Sequence, residues 1–270
     1  MDTKLYICAI MRNEHKYIRE WVEHHIQIGV SHFYLYDNES AKGYADEIGD
    51  YLANGTVEIK YWPDSINTER ASRSNKQTSA YNNFISSRKW CDNEWCAFID
   101  LDEFINPSVD LLNFLSNQSA DVSAIGIAWR LFNANSHIEQ QDNLRNSYTK
   151  EVVNAGLPKY LREGKTIARL SQLKCMLTCH YGEVTNKYVK TNSFRLRWIA
   201  SCFIFTPSMT NIVLDHYFTK SWEDWVFRLK RGNITKNASA LRTVDAFFQY
   251  NPELLPYRDE LVKKYLGDEE

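Results

Sequence analysis

Three carboxylates close the segment WCAFIDLDEFINP: Asp100, Asp102 and Glu103 follow directly on Trp95–Ile99, a run that reads as buried strand. Uncompensated charge at the edge of a hydrophobic core is costly, so either cations neutralise it or it opens into a solvated crevice. Alternate residues on an extended backbone share a face, which lets Asp100 and Asp102 point together beyond the strand end. Hard oxygen donors in that arrangement suit Mg2+ or Mn2+, held with waters and the phosphates of a substrate. A neutral imidazole often completes such a site. His216 in LDHYFTKS and His180 in TCHYG both follow short apolar runs. His216 is the better candidate, because Lys220, Ser221, Glu223, Lys230 and Arg231 follow it closely and gather phosphate-binding cations with a spare carboxylate. A solvated acidic turn and hydrogen-bonded, partly buried histidines are the plainer alternatives.

Further candidates lie earlier in the chain. Asp37, in YDNES, could accept hydrogen bonds from a ribose or a base edge, although the stretch is also good turn chemistry. Arg70, Arg73 and Lys76 could face a diphosphate or form the wet face of a helix.

These residues need elements to carry them. LYICAIM reads as a buried strand ended by Arg12-Asn13-Glu14, and HKYIREWVEHHIQIG as a helix with Tyr17, Ile18, Trp21, Val22, His25 and Ile26 on one stripe and Gly29 as its stop. SHFYLYDNES is a second strand, YADEIGDYLAN a short helix, TVEIKYWP a third strand, and 68–90 a polar helix leading into the acidic fourth. Alternating strand and helix over about the first 105 residues predicts an α/β fold with a mostly parallel sheet. Ligands of such sheets bind beyond the carboxyl ends of the strands, where three polar clusters converge here. After 107 the alternation weakens: SAIGIAWRLF is a strand, 133–143 a mobile loop, 166–218 short strands of a mixed sheet, and the C-terminus helical again. No repeat or linker interrupts the chain. The expectation is one domain over 1–270, with a nucleotide-binding half at 1–106, an acceptor and metal half at 107–232, and C-terminal helices at 233–270.

Composition narrows the partners. With 44% hydrophobic and 24% charged residues the 270-residue chain is ordinary for a globular protein, and a net charge of -2 gives no basic field for nucleic acid. Aromatics reach 14%, enough for a heavily aromatic core and for stacking surfaces against sugar rings or a base. MDTKLYICAIMRNEHKY has only a short apolar run before its charges, neither a signal peptide nor a membrane span. The chain therefore reads as cytoplasmic, with peripheral attachment to the inner face of a membrane left open. Six cysteines without a secretory signal read as reduced thiols. CMLTCH could be half of a zinc site, but Cys91 and Cys96 have the wrong spacing for the other half.

Three blocks, YICAIMRNEHKYIREWVEHHIQIGVSHFYLYDNES, WCAFIDLDEFI and DHYFTKSWEDWVFRLKRG, resemble the glycosyltransferase family 2-like and family 92-like proteins, nucleotide-sugar-dependent enzymes of the GT-A fold. The likeness runs from about residue 4 to 232. It implies an inverting, hexosyltransferase-type enzyme that moves a sugar from a nucleotide diphosphate donor, a UDP-sugar, to a hydroxyl of a glycan, lipid-linked oligosaccharide or polysaccharide. In that pattern Arg12, Asn13, Glu14 and Asp37 hold the nucleotide, Asp100 sits near the ribose or the metal, and Asp102 binds the metal. Lys76 and Lys220 are the candidate phosphate cations, His216 the third metal ligand, and Glu223 the catalytic base, with Asp224 and Asp215 behind it. A sugar nucleotidyltransferase would normally show a glycine-rich loop after the first strand, and AIMRNEHKY has no glycine. A non-catalytic carbohydrate-binding protein would explain the aromatics but not the clustered carboxylates.

Overall fold

A computed structural model of the chain describes residues 2–66, 76–152, 164–190, 212–231 and 243–267. Arg70 and Arg73, and the predicted strand at 193–205, lie outside them. The described chain packs as two compact units, Met1–Trp129 with Leu157–Asp215, and Arg130–Gly156 with His216–Glu270.

The first unit carries the sheet. Strands β1 (Lys4–Met11), β2 (Val30–Asp37), β3 (Val57–Tyr61) and β4 (Glu94–Phe98) alternate with helices α1 (Ile18–Gln27), α2 (Ala45–Ala53) and α3 (Lys76–Ile85). Then come β5 (Glu103–Pro107), α4 (Leu111–Ser116), β6 (Val122–Leu131), the short helix α5 (Leu144–Ser147) and β7 (Gly164–Arg169). A two-stranded ribbon, β8 (Leu173–Met176) with β9 (Gly182–Val184), precedes β10 (Lys187–Lys190) and β11 (Ile212–His216). The main sheet runs β3-β2-β1-β4-β7-β6-β11-β5, with β10 also on β6. Pairing is parallel among β3, β2, β1 and β4, and β7 then enters antiparallel between β4 and β6. This is the α/β architecture with a mostly parallel, mixed sheet that the alternation predicts.

Sequence dictates the layering directly. All of β4 and all but the first residue of β1 are buried, as expected for central strands covered on both faces. Each large aliphatic or aromatic side chain so buried contributes about 1.5–3 kcal/mol. Helix α1 buries Ile18, Trp21, Val22, His24 and His25, one stripe at helical spacing. It ends where predicted: Gly29 takes a left-handed φ of 99° and donates its amide to Ile26 O at 3.0 Å.

In the second unit, α6 (Trp222–Arg231), α7 (Val244–Tyr250) and α8 (Arg258–Leu266) pack around Trp222, Trp225, Phe247 and Phe248. The stretch 133–143, expected to be mobile, is pinned instead. The Ala134 amide donates to Asn251 Oδ1 at 2.6 Å, and Gln140 bonds to both Glu223 and Asp224. Its polar residues are spent on backbone and helix-cap contacts, which composition alone does not reveal.

Candidate active site

The parallel register brings the strand ends to one edge. Met11 pairs with Asp37, Asp37 with Tyr61, and Cys8 with Phe98, so the segments after β1, β2, β3 and β4 emerge side by side. The first two segments are locked together. Asn13, at a left-handed φ of 56°, donates its amide to Ser40 Oγ at 2.9 Å and accepts the Ala41 amide on Oδ1 at 2.7 Å. The Glu14 amide donates to Tyr44 Oη at 3.2 Å, and Asp37 Oδ1 accepts the Ser40 amide at 3.1 Å. Asn38, fully buried, bridges to Trp62 O at 2.9 Å and Asp64 Oδ1 at 3.1 Å. Lys76 Nζ donates to the carbonyls of Pro63, Asp64 and Ile66 at 2.9–3.1 Å, so its ammonium braces the loop after β3.

Beyond β4 the carboxylates find their cation within the chain. Lys165, 1% exposed, donates from Nζ to Asp100 Oδ2 at 2.9 Å and lies 3.8 Å from Glu103 Oε2. It arrives from β7, whose antiparallel register sets Thr166 beside Phe98 and therefore Lys165 level with the strand end. Gln77 Nε2, from α3, donates to Asp100 Oδ1. Glu103 is wholly buried; its Oε2 accepts the Asp100 amide at 2.7 Å and its Oε1 accepts Trp129 Nε1–H at 2.7 Å. Both oxygens thus accept from N–H groups. Burial pushes the Glu103 carboxyl well above the ordinary carboxylate range, against the pull of Lys165, while Asp100 and Asp102 push the same way as burial. For Lys165 burial acts to lower the pKa, but Asp100 and Glu103 outweigh it and hold the ammonium charged.

Helix α1 fixes the strand that follows. Trp21 Nε1 donates to Glu103 O at 2.8 Å, and His24 Nε2 donates to Ile105 O at 2.8 Å. His25 accepts the Ile105 amide on Nε2 at 3.2 Å, which leaves the ring proton on Nδ1 for Trp21 O at 2.8 Å. The spacing of Trp21, His24 and His25 therefore grips the backbone on both sides of Phe104.

The remaining predicted residues fall as follows. Asp102 is buried beside Asp100 and Glu103 in the first unit. There His180 bonds through Nδ1 to Gly164 O at 3.0 Å, with its ring edge-on to Trp129, and Asp215 Oδ2 accepts Asn106 Nδ2 at 2.9 Å. His216, Lys220, Glu223 and Asp224 belong to the second unit. There His216 is buried edge-on to Phe218, and buried Lys220 takes a left-handed φ of 54°. Glu223 accepts the Gln140 amide on Oε2 at 2.8 Å. Asp224 and Ser221 cap α6 reciprocally, with Ser221 Oγ to Asp224 Oδ2 at 2.8 Å and the Asp224 amide to Ser221 Oγ at 3.1 Å.

Among the described residues no three His, Cys, Asp or Glu side chains form a group able to hold a metal ion. Asp100 gives one oxygen to Gln77 and the other to Lys165. Both Asp100 oxygens are therefore engaged within the chain.

Sequence reasoning missed Lys165 and Trp129. A signal existed for the first: GKTIAR embeds a lysine in a strand whose six residues are all buried, and such a lysine requires a counter-charge. Nothing local marks Trp129 as a hydrogen-bond donor to Glu103.

The sheet order and the acidic strand end define an α/β domain with a mostly parallel, mixed sheet. Residues 3–250 match the family model of glycosyltransferase family 92, and the chain belongs to that family. Similar family 92 proteins occur in Ricinus communis, 31% identical over 43% of this chain and 20% of that protein, and in Arabidopsis thaliana, 32% identical over 37% and 16%. The chain thus spans a fifth or less of the length of these curated relatives. Among solved structures, S. aureus TarS 1–349 in complex with UDP is similar at 13% identity and a TM-score of 0.38 over 63% of this chain and 47% of that one. A glucose-1-phosphate thymidylyltransferase from Bacillus anthracis is similar at 12% identity and a TM-score of 0.32, over 58% and 66%.

Proposed function

We propose that this domain transfers a sugar from a UDP-sugar to a hydroxyl of a glycan, lipid-linked oligosaccharide or polysaccharide, with inversion and with the help of Mn2+ or Mg2+. The observation that carries the reading is the braced acidic strand end: Asp100, half-exposed at the carboxyl edge of a parallel sheet and held by Lys165 and Gln77, next to the locked segments after β1 and β2. Family membership supports the reaction class.

In this reading Asp37 and Arg12–Glu14 receive the nucleotide, and the rigid loops around them keep that surface formed before the donor arrives. Asp100 presents the carboxylate face left by Lys165 and Gln77 to the donor's hydroxyls, and Asp102 anchors the divalent cation. When bound, that cation would stabilise the charge that grows on the departing diphosphate. A carboxylate accepts the acceptor's hydroxyl proton as the oxygen attacks the anomeric carbon, and UDP leaves from the opposite face. Glu223 is the candidate, since among the described residues its Oε1 has no partner while Oε2 is held by Gln140. A sugar nucleotidyltransferase fits less well: the segment after β1 is glycine-free and already bonded to the loop at 40–44.

Melting the protein against a panel of nucleotide sugars, with and without Mn2+, tests the proposal. A selective UDP-sugar shift that grows with Mn2+ is expected, because a ligand stabilises the state it binds. No shift with any nucleotide sugar, or a shift with nucleoside triphosphates alone, sinks it.

A further inference from the structure

Lys165 lies outside every motif that carries the resemblance, yet it sits at the centre of the acidic strand end. Its side chain is 1% exposed, and the neighbours of its ammonium at 2.9 and 3.8 Å are the carboxylates of Asp100 and Glu103. An ammonium that deep would be untenable alone, and breaking a buried pair leaves an uncompensated charge. Glu103 is already satisfied by the Asp100 amide and the Trp129 indole. The lysine's short contact goes instead to Asp100, whose side chain is 35% exposed and so reaches both the protein interior and any ligand.

We propose that Lys165 is a positioning residue: a built-in cation that fixes the Asp100 carboxylate and competes with a divalent cation for it. The inference rests on the glycosyl-transfer reading for its context, but its logic is electrostatic. A divalent ion bound to Asp100 would share one carboxylate with an ammonium in a poorly solvated place, and like charges there repel strongly. Gln77 and Tyr81 complete the clamp, since Gln77 Nε2 also donates to Tyr81 Oη at 2.8 Å. Asp100 is thereby kept for the organic part of the donor. In the antiparallel register the first residues of β7 lie at the end of β4, which brings Lys165 there.

The test removes the charge and keeps the bulk. Mn2+ is titrated into nucleotide-free protein, with free Mn2+ read by electron paramagnetic resonance, for the wild type, Lys165→Met, Asp100→Asn and the double variant. Lys165→Met is expected to bind Mn2+ about tenfold more tightly, because a neighbouring like charge is gone and Asp100 is released to the ion. That gain should vanish in the double variant, and Asp100→Asn alone should leave the Mn2+ affinity near wild type. A merely structural lysine would not tighten metal binding. Unchanged affinity in Lys165→Met, or a gain that survives in the double variant, overturns the proposal. Should Lys165→Met fail to fold, Asp100→Asn decides alone: a loss of at least about tenfold, which even an outer partner can cost a metal site, would make Asp100 a ligand despite Lys165. None of these readings requires turnover, so a wild type that transfers no sugar would sink the proposed function without touching this one.

Discussion

Trp129 Nε1 donates to Glu103 Oε1 at 2.7 Å, and this bond ties the C-terminal part of β6 to a carboxylate with no exposure to solvent. The indole therefore supports the acidic strand end. Trp129→Phe keeps most of the ring and removes the donor. A buried carboxylate oxygen left short of a partner costs about 1–3 kcal/mol. The urea midpoint of Trp129→Phe should fall accordingly, and a midpoint equal to the wild type's would show that Glu103 draws nothing from the indole.

Gly164 is required where β7 begins. A Cβ there would stand 2.0 Å from Ile127 O and 3.0 Å from Ala128 Cα, both backbone atoms that cannot swing aside. Gly164→Ala must push β7 off β6 and drag Lys165 with it. We expect a loss of about 1–3 kcal/mol or more, as for other overpacked sites. The donor KM should rise as well, because Asp100 loses its brace. Thermal melts and initial rates on the purified variant check both halves, and an unaltered KM at lowered stability would uncouple Lys165 from donor binding.

Legibility in the sequence followed the range of the interactions involved. Burial patterns and the stop at Gly29 announced β1, α1, β2 and β4, because each depends on its own neighbours. The strand-end position of Asp100 was readable for the same reason. Its partner was not, since Lys165 lies 65 residues away and reaches it only through the register of β7 on β4. Trp21 and His25 read as part of a core stripe, and they are buried on one, together with His24, which the stripe did not include. Their second task, holding the backbone of Glu103 and Ile105, depends on polar atoms that hydrophobic periodicity ignores. Lys76 shows the opposite case, a lysine chosen for phosphate whose three bonds go to carbonyls 10–13 residues upstream.

Acid should expose a different pair. Glu94, at the far end of β4 with a side chain 6% exposed, receives Arg88, the Cys91 amide and Tyr6 Oη. Burial alone would raise its pKa, but these donors together depress it from 4.5 to about 2. A folded-state value below the unfolded one means that protons bind the unfolded chain preferentially. The stabilisation is therefore complete above pH 4.5 and lost as the pH falls toward 2. It is on the order of 3 kcal/mol. Unfolding midpoints at pH 5.5 and 3, taken as about one unit above and in the middle of that window, should fall steeply for the wild type and less for Glu94→Gln. Parallel slopes would remove Glu94 from the acid response.

The last prediction separates binding from chemistry in the second unit. If His216 helps to hold the divalent cation, His216→Ala should raise the apparent KM for both metal and donor. His216 is buried against Phe218, so melts of the variant must first show that the fold persists. Glu223 should respond differently. A general base touches the acceptor and not the diphosphate, so Glu223→Gln should lower kcat by about 10²–10⁴-fold with the donor KM nearly unchanged. The geometry sharpens the choice among neighbouring carboxylates. Asp224 spends Oδ2 on Ser221 and Oδ1 on Gln140 Nε2 at 2.7 Å, so Asp224→Asn should cost stability through its cap before it costs rate. Asp215 accepts Asn106 Nδ2 on Oδ2 at 2.9 Å and lies on β11, the strand next to β5. A wild-type kcat in Glu223→Gln would pass the role to Asp215, and Asp215→Asn should then show the loss, whereas a deep drop in Glu223→Gln with an unmoved donor KM assigns the proton to Glu223.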